Sequence, residues 1–159
     1  FDLATVVDET LSTLRHGLAR TTHRIVVDIP QRISMDSYPG PLEQVLSNFV
    51  SNSLLHGFDG KEDGTIQITA RQEKAWVRIT YHDDGIGMPE ASVRRAFDPF
   101  CTTRLGRGGS GLGLYIVYNL VTAVLGGRVR LRSQPQAGVE FVVDLPLVAG
   151  AVPVSGVAE

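Results

Sequence analysis

The sequence predicts an α+β fold, a two-layer α/β sandwich whose mixed, mostly antiparallel sheet packs on about three helices. Three observations predict it. Apolar residues recur at helical spacing near residues 1–19, 41–57 and 112–127, and alternating segments at 65–82 and 128–146 read as two hairpins. Between them, the stretch from Asp84 to Gly113 holds seven of the chain's 17 glycines, too long and too glycine-rich for an ordinary connection.

Each element has a local reason. "FDLATVVDETLSTLRHGLA" places Leu3, Val6, Val7, Leu11, Leu14 and Leu18 on one helical face. "RIVVDIP" is a short strand that stops at Pro30. "YPGP" is a turn in which Pro41 suits a first helical position, and "PLEQVLSNFVSNSLLHG" is the helix that follows, ending near Gly57. After the polar loop "FDGKEDG", the strands "TIQITARQ" and "AWVRITYH" are joined tightly through "EK". "PEASVRRAF" is a weak helical piece within the glycine-rich stretch, and "LGLYIVYNLVTAVLGG" is a strong helix closed by Gly126 and Gly127. "RVRLRSQ" and "VEFVVDLP" pair across "PQAG". The tail, residues 147–159, is rich in small residues and interrupted by proline, and is expected to be disordered.

Composition narrows the function. A chain of 159 residues fits one domain, expected over residues 1–146. Fifteen basic against 17 acidic residues argue against a nucleic-acid surface, which needs a basic excess. A single cysteine, Cys101, cannot form an internal disulfide and points to a reducing, cytoplasmic setting. No apolar run approaches a membrane span. The first residue is Phe1 rather than Met, so the chain is expected to be a piece of a longer protein that could carry an anchor elsewhere.

Three constellations could carry chemistry. Asn48, Asn52 and His56 recur every four residues at the edge of the apolar stripe of one helix. Asparagine is a mediocre helix former, so the row is either a set of half-exposed polar residues or an amide ligand for a hard cation with neighbours facing phosphates. "DDGIGM" ends a strand, and alternation turns Asp83 and Asp84 to opposite sides, so they do not act as one carboxylate pair. It reads either as a simple turn or as a carboxylate accepting from a flat ligand's amino group, with Gly85 and Gly87 letting the backbone come close. "GGSGLGL" opens a helix with Ser110 as cap and with Gly109, Gly111 and Gly113 exposing amides, a phosphate-binding arrangement that is weak taken alone.

In order, "QVLSNFVSNSLLHGF", "DDGIGM", "FDPFCTTR" and "GGSGLGLYIVYNL" closely resemble the N box, first glycine box, F box and second glycine box of sensor histidine kinase catalytic domains. That family shares a Bergerat-type ATP-binding fold with type II topoisomerases, mismatch-repair ATPases and heat-shock chaperone ATPases. The resemblance implies ATP and Mg²⁺ as cofactors. It implies that Asn52 ligates the metal and that Asn48, the catalytic residue, positions the transferable group near the phosphates. Asp83 would accept from the adenine amine, in a pocket shaped by Gly85, Ile86, Gly87 and Met88. An ATP lid would span about 88–110, anchored by Phe97 and Phe100. His56, Arg104, Gly109, Ser110, Gly111, Leu112, Gly113 and Leu114 would complete the nucleotide site.

Three positions depart from the family pattern. Leu55 stands where a lysine is usual, which leaves His56, Arg104 or Arg107 to supply positive charge. Asp84 replaces a common asparagine and adds negative charge, and Cys101 replaces a phenylalanine. The resembling hydrolases carry glutamate at the position of Asn48, and an amide cannot serve as that base, so the acceptor is expected to be a histidine. None of His16, His23, His56 and His82 lies in the family's acceptor setting. The expected partners are therefore a histidine-bearing dimerisation domain of the same kinase and, indirectly, a response regulator, with the isolated domain possible as a monomer. The rival readings are a nucleotide-binding regulatory module with little catalysis and an ATPase of the same superfamily.

Overall fold

The computed structural model describes residues 1–99 and 112–150. Five strands, β1 (Arg24–Asp28), β2 (Thr65–Glu73), β3 (Trp76–Asp83), β4 (Arg128–Ser133) and β5 (Val139–Pro146), form one sheet in the order β1-β2-β3-β5-β4. β1 runs parallel to β2 and every other neighbour is antiparallel, so the sheet is mixed as expected. Helices α1 (Leu3–Ala19), α2 (Pro39–Asn52) and α4 (Gly113–Asn119) bury residues against one face, while the short α3 (Glu90–Arg95) buries none.

Alternation decides the inner face of the sheet. Ile66 and Ile68 of β2, Val77, Ile79 and Tyr81 of β3, and Phe141, Val143 and Leu145 of β5 are buried against Leu3 and Val7 of α1, Leu42, Leu46 and Phe49 of α2, and Val117 of α4. Each such side chain contributes about 1.5–3 kcal/mol by leaving water. The Phe49 ring stacks on Phe141 at 4.1 Å and tilts against Tyr81 at 5.2 Å, fixing α2 over the junction of β3 and β5.

Three features differ from the expectation. Helix α2 starts at Pro39, which places both Pro39 and Pro41 in the first turn, where a missing N–H costs no helical bond. Neither strong helix stays α-helical to its end. Ser53–Gly57 and Leu120–Val124 are π turns, closed by bonds from Phe58 N–H to the Ser53 carbonyl and from Leu125 N–H to the Leu120 carbonyl, both 2.8 Å. The domain also runs past 146. Leu147 N–H donates to the Ala75 carbonyl (2.9 Å), Val148 bridges Asp36, and Ala149 N–H donates to the Asp36 carbonyl (2.8 Å), so backbone pairing orders residues expected to be loose. The remainder of the tail, 151–159, lies outside the described residues.

The outer face of the sheet is polar, with Asp144 buried among arginines. Arg78 grips it with Nε at 2.7 Å and Nη2 at 3.1 Å, and Arg128 Nε lies 3.2 Å away. Burial pushes the Asp144 carboxyl up, but the hydrogen bonds from Arg78 and Arg128 outweigh it and hold the pKa below the usual carboxylate value. A pKa lowered by folding adds stability that is complete above the unfolded carboxylate's pKa and fades as pH falls through the folded value. Asp144→Asn is expected to lower stability by about 2 kcal/mol at pH 7, because it leaves guanidinium groups without their anion. In urea melts that difference shrinks progressively below about pH 4.

Candidate functional site

The site forms where the end of β3 meets the end of α2. Asp83 is buried, and its carboxylate collects three neutral donors. Gly85 N–H and Val139 N–H reach Oδ1 at 3.0 and 3.2 Å, and the Ser53 hydroxyl reaches Oδ2 at 2.6 Å. A carboxylate offers about four acceptor positions, so one on Oδ2 remains for a further donor. Ser53 is itself buried and lies 2.7 Å from the Tyr81 hydroxyl, which is also 3.1 Å from the Phe49 carbonyl. Ser53 gives its one proton to Asp83, so the Tyr81 proton serves the Ser53 oxygen or the Phe49 carbonyl. Burial drives the Tyr81 phenol's pKa well up, so it remains a donor at every physiological pH.

The π turn supplies the other wall. Its Gly57 carbonyl accepts from Ile86 N–H at 2.8 Å, and a Cβ on Gly57 would come 2.8 Å from Asp83 Oδ2. A Cβ on Gly85 would overlap the Gly57 carbonyl, so the two backbones can meet only as glycines. Gly87 takes a left-handed φ of +70°, and a Cβ there would overlap the Gln134 carbonyl. The segment is tied to the β4–β5 hairpin as well. Met88 N–H donates to Ser133 Oγ (2.8 Å), and the Ile86 carbonyl accepts from Gln136 N–H (2.6 Å). Asp84, on the opposite side, turns to β2, where its Oδ1 accepts from Thr65 N–H at 2.7 Å. That bond accounts for an acid whose place was unexplained by the sequence.

The α2 row leads from Asp83 to α4. Asn48 Nδ2 is buried and has no acceptor among the described residues. A Cβ on Gly113 would lie 3.6 Å from Asn48 Oδ1, so the Asn48 amide sits against the start of α4. Asn52 and His56 are half-buried, Asn52 closing α2 and His56 within the π turn. Leu112, Gly113 and Leu114 are half-buried at the opening of α4. Phe97 packs on the core and its ring lies 5.9 Å from Tyr118. Phe100, Cys101, Arg104, Arg107, Gly109, Ser110 and Gly111 lie outside the described residues. Among the described residues no group of three or more His, Cys, Asp or Glu side chains could hold a metal, so a cation here would depend on amide and ligand oxygens.

Sequence reasoning missed Ser53 and Tyr81. Serine within a helix reads as a surface residue and Tyr81 as a core aromatic. The only available signal was their placement beside Asn52 and two residues before Asp83.

A strand-end carboxylate with one open acceptor position, a glycine-lined wall and the Asn48 amide set against a second helix make up the candidate site of a nucleotide-binding class of domain. Residues 38–149 match the family described as histidine kinase-, DNA gyrase B- and HSP90-like ATPases, and the chain belongs to that family. The two-component sensor PprA of Pseudomonas aeruginosa is 34% identical over 158 residues, covering 95% of this chain and 17% of PprA. The signal transduction histidine-protein kinase BaeS of Escherichia coli is 31% identical over 150 residues, covering 92% of this chain and 31% of BaeS. The chain thus spans less than a third of either relative. Among solved structures, full-length ShkA in complex with AMPPNP superposes with a TM-score of 0.75 at 25% identity, covering 97% of this chain and 32% of ShkA. No described helix is long and apolar enough to cross a membrane.

Gly85→Ala is expected to push the Gly57 carbonyl aside and to lower nucleotide affinity at least tenfold by calorimetric titration. Ser53→Ala removes one Asp83 donor and one Tyr81 partner. It should cost about 1–3 kcal/mol in denaturant melts, since buried polar atoms lose their partners.

Proposed function

We propose that this chain is the ATP-binding catalytic domain of a cytosolic sensor histidine kinase. It passes the ATP γ-phosphoryl group to a histidine on a separate dimerisation domain, for relay to a response regulator. The observation that carries the reading is the Asn48 amide, a buried donor without an acceptor among the described residues, set against the opening of α4. Kinship to a two-component sensor and to a signal transduction histidine-protein kinase, and the likeness to ShkA solved in complex with AMPPNP, support it.

The residues fit an adenine nucleotide. Asp83 has one acceptor position for the exocyclic amine, and the close meeting of the Gly57 and Gly85 backbones holds the carboxylate in place for it. Asn48 Nδ2 would donate to a phosphate oxygen, and the Asn52 amide oxygen would be a ligand for Mg²⁺. When bound, the metal would neutralise charge between the β- and γ-phosphates. Phosphoryl transfer needs positioning and charge neutralisation more than covalent help, and an amide row supplies positioning. Because Asn48 cannot take a proton from water, hydrolysis lacks its base, whereas a histidine acceptor brings its own nucleophilic nitrogen.

The test combines the purified chain, Mg²⁺ and labelled ATP with a separate histidine-bearing helical domain. Label on the histidine is the expected result. Phosphate release without an acceptor would favour the ATPase, and binding without transfer would favour a regulatory module. Asn52→Ala is expected to abolish the Mg²⁺-dependent part of ATP binding, and unchanged affinity would sink the metal assignment.

A further inference from the structure

Strand β4 turns Val129 and Leu131 toward the core, and alternation puts Ser133 on the same face. A hydroxyl there breaks an apolar pattern. Register sets Ser133 opposite Val139 and Val139 opposite Asp83, so the three stand in one row across β4, β5 and β3. Ser133 is half-buried, and its bonds go to two backbones. It gives its proton to the Gly138 carbonyl at 2.6 Å, and its oxygen accepts from Met88 N–H at 2.8 Å.

The hairpin turn beyond Ser133 lies directly on the glycine segment that follows β3. Gln136 N–H donates to the Ile86 carbonyl at 2.6 Å, and Val139 N–H donates to Asp83 Oδ1 at 3.2 Å. Gly87 and Gly138 both take a left-handed φ, +70° and +75°. A Cβ on Gly87 would overlap the Gln134 carbonyl, and one on Gly138 would overlap the Asp83 carbonyl, so backbone rests on backbone. Gln136 holds a left-handed φ of +67° while making its bond, a conformation uncommon outside glycine. Gln136 and Val139 tie the two segments with backbone N–H groups, which stay whatever side chains the hairpin carries. Ser133 ties them with a side chain.

We propose that Ser133, on the nucleotide reading of this site, is a positioning residue that sets the backbone path of Gly87 and Met88 by tying it to Gly138. It acts through these two backbones and not as a ligand of the nucleotide. A serine hydroxyl has one proton and two lone pairs, so this one side chain serves both the Met88 N–H and the Gly138 carbonyl. Removing it leaves two backbone groups without that partner in a partly buried place. Gly87 gives the segment no stiffness of its own, so Met88 then leaves the path for part of the time. Binding draws on the fraction of molecules that keep the competent path, and the apparent dissociation constant rises by the inverse of that fraction. A competent fraction of about a quarter gives a loss of roughly fourfold.

Calorimetric titration with ATP and Mg²⁺, well below the melting temperature, compares the unaltered chain with three variants. Ser133→Ala is expected to bind about three- to tenfold more weakly. Ser133→Thr keeps the hydroxyl and is expected to recover most of that loss. Val129→Ala lowers stability from the same strand without removing the bond, and is expected to bind as the unaltered chain does. That contrast separates positioning from general loosening. Amide hydrogen exchange without nucleotide should quicken at Met88 in Ser133→Ala while Val139 stays protected. Four outcomes each overturn the proposal alone: equal affinity in Ser133→Ala, an equal loss in Val129→Ala, a threonine variant as weak as the alanine one, or unchanged exchange at Met88. An unaltered chain that binds no ATP would overturn the nucleotide reading, and the proposal with it.

Discussion

The end of the domain where β3 meets α2 depends on one buried carboxylate. Moving Asp83 out of water costs several kcal/mol unless donors replace the solvent. Three do, and they come from three places in the chain: the turn after α2, the loop after β3 and the start of β5. Satisfying the carboxylate therefore fixes where these segments meet. The glycine contacts follow from the same requirement, since Gly57 lies against the carboxylate itself and Gly85 against the Gly57 carbonyl. One acceptor position stays open because the protein provides three donors for about four places.

The π turn after Asn52 makes this geometry reachable. Its i→i+5 bond accommodates an extra residue in one turn while Ser53 keeps its hydroxyl on Asp83 and Gly57 presents its carbonyl to Ile86. Such turns cost hydrogen-bond quality and tend to occur at functional sites. Here Ser53 repays the cost through its bonds to Tyr81 and Asp83. The second π turn, at Leu120–Val124, follows α4, the helix whose opening faces Asn48.

Much of this was legible in the sequence because it rests on local rules. The strict alternation of "WVRITYHD" separated Asp83 from Asp84, and the structure turns the first to the core and the second to Thr65. The helical spacing set α1, α2 and α4, and the two hairpins paired as their lengths implied. What was not legible is what depends on distant partners. Ser53 and Asp83 are 30 residues apart, and nothing in "SNSLL" marks that serine as buried. The position of β5 between β3 and β4 was also open, because a terminal hairpin can join a sheet through either strand. The order of residues 147–149 comes from backbone bonds to Ala75 and Asp36, which apolar patterning does not record.

Asp83 and Asp144 show how one sheet can bury two carboxylates for different ends. Both are 2% exposed, one on each face. Asp144 is met by guanidinium groups, which neutralise it and hold its pKa low, so it serves as a strut between β3, β5 and β4. Asp83 is met only by neutral donors among the described residues, so its electrostatic demand is eased but not cancelled. A ligand that brings an N–H to Oδ2 gains a hydrogen bond to an acceptor already desolvated and held in place, with little further ordering required. An arginine in the place of Ser53 would have stabilised the carboxylate more strongly and removed that opening. The choice of a hydroxyl over a cation at this one position is what leaves an acceptor position open at the end of β3.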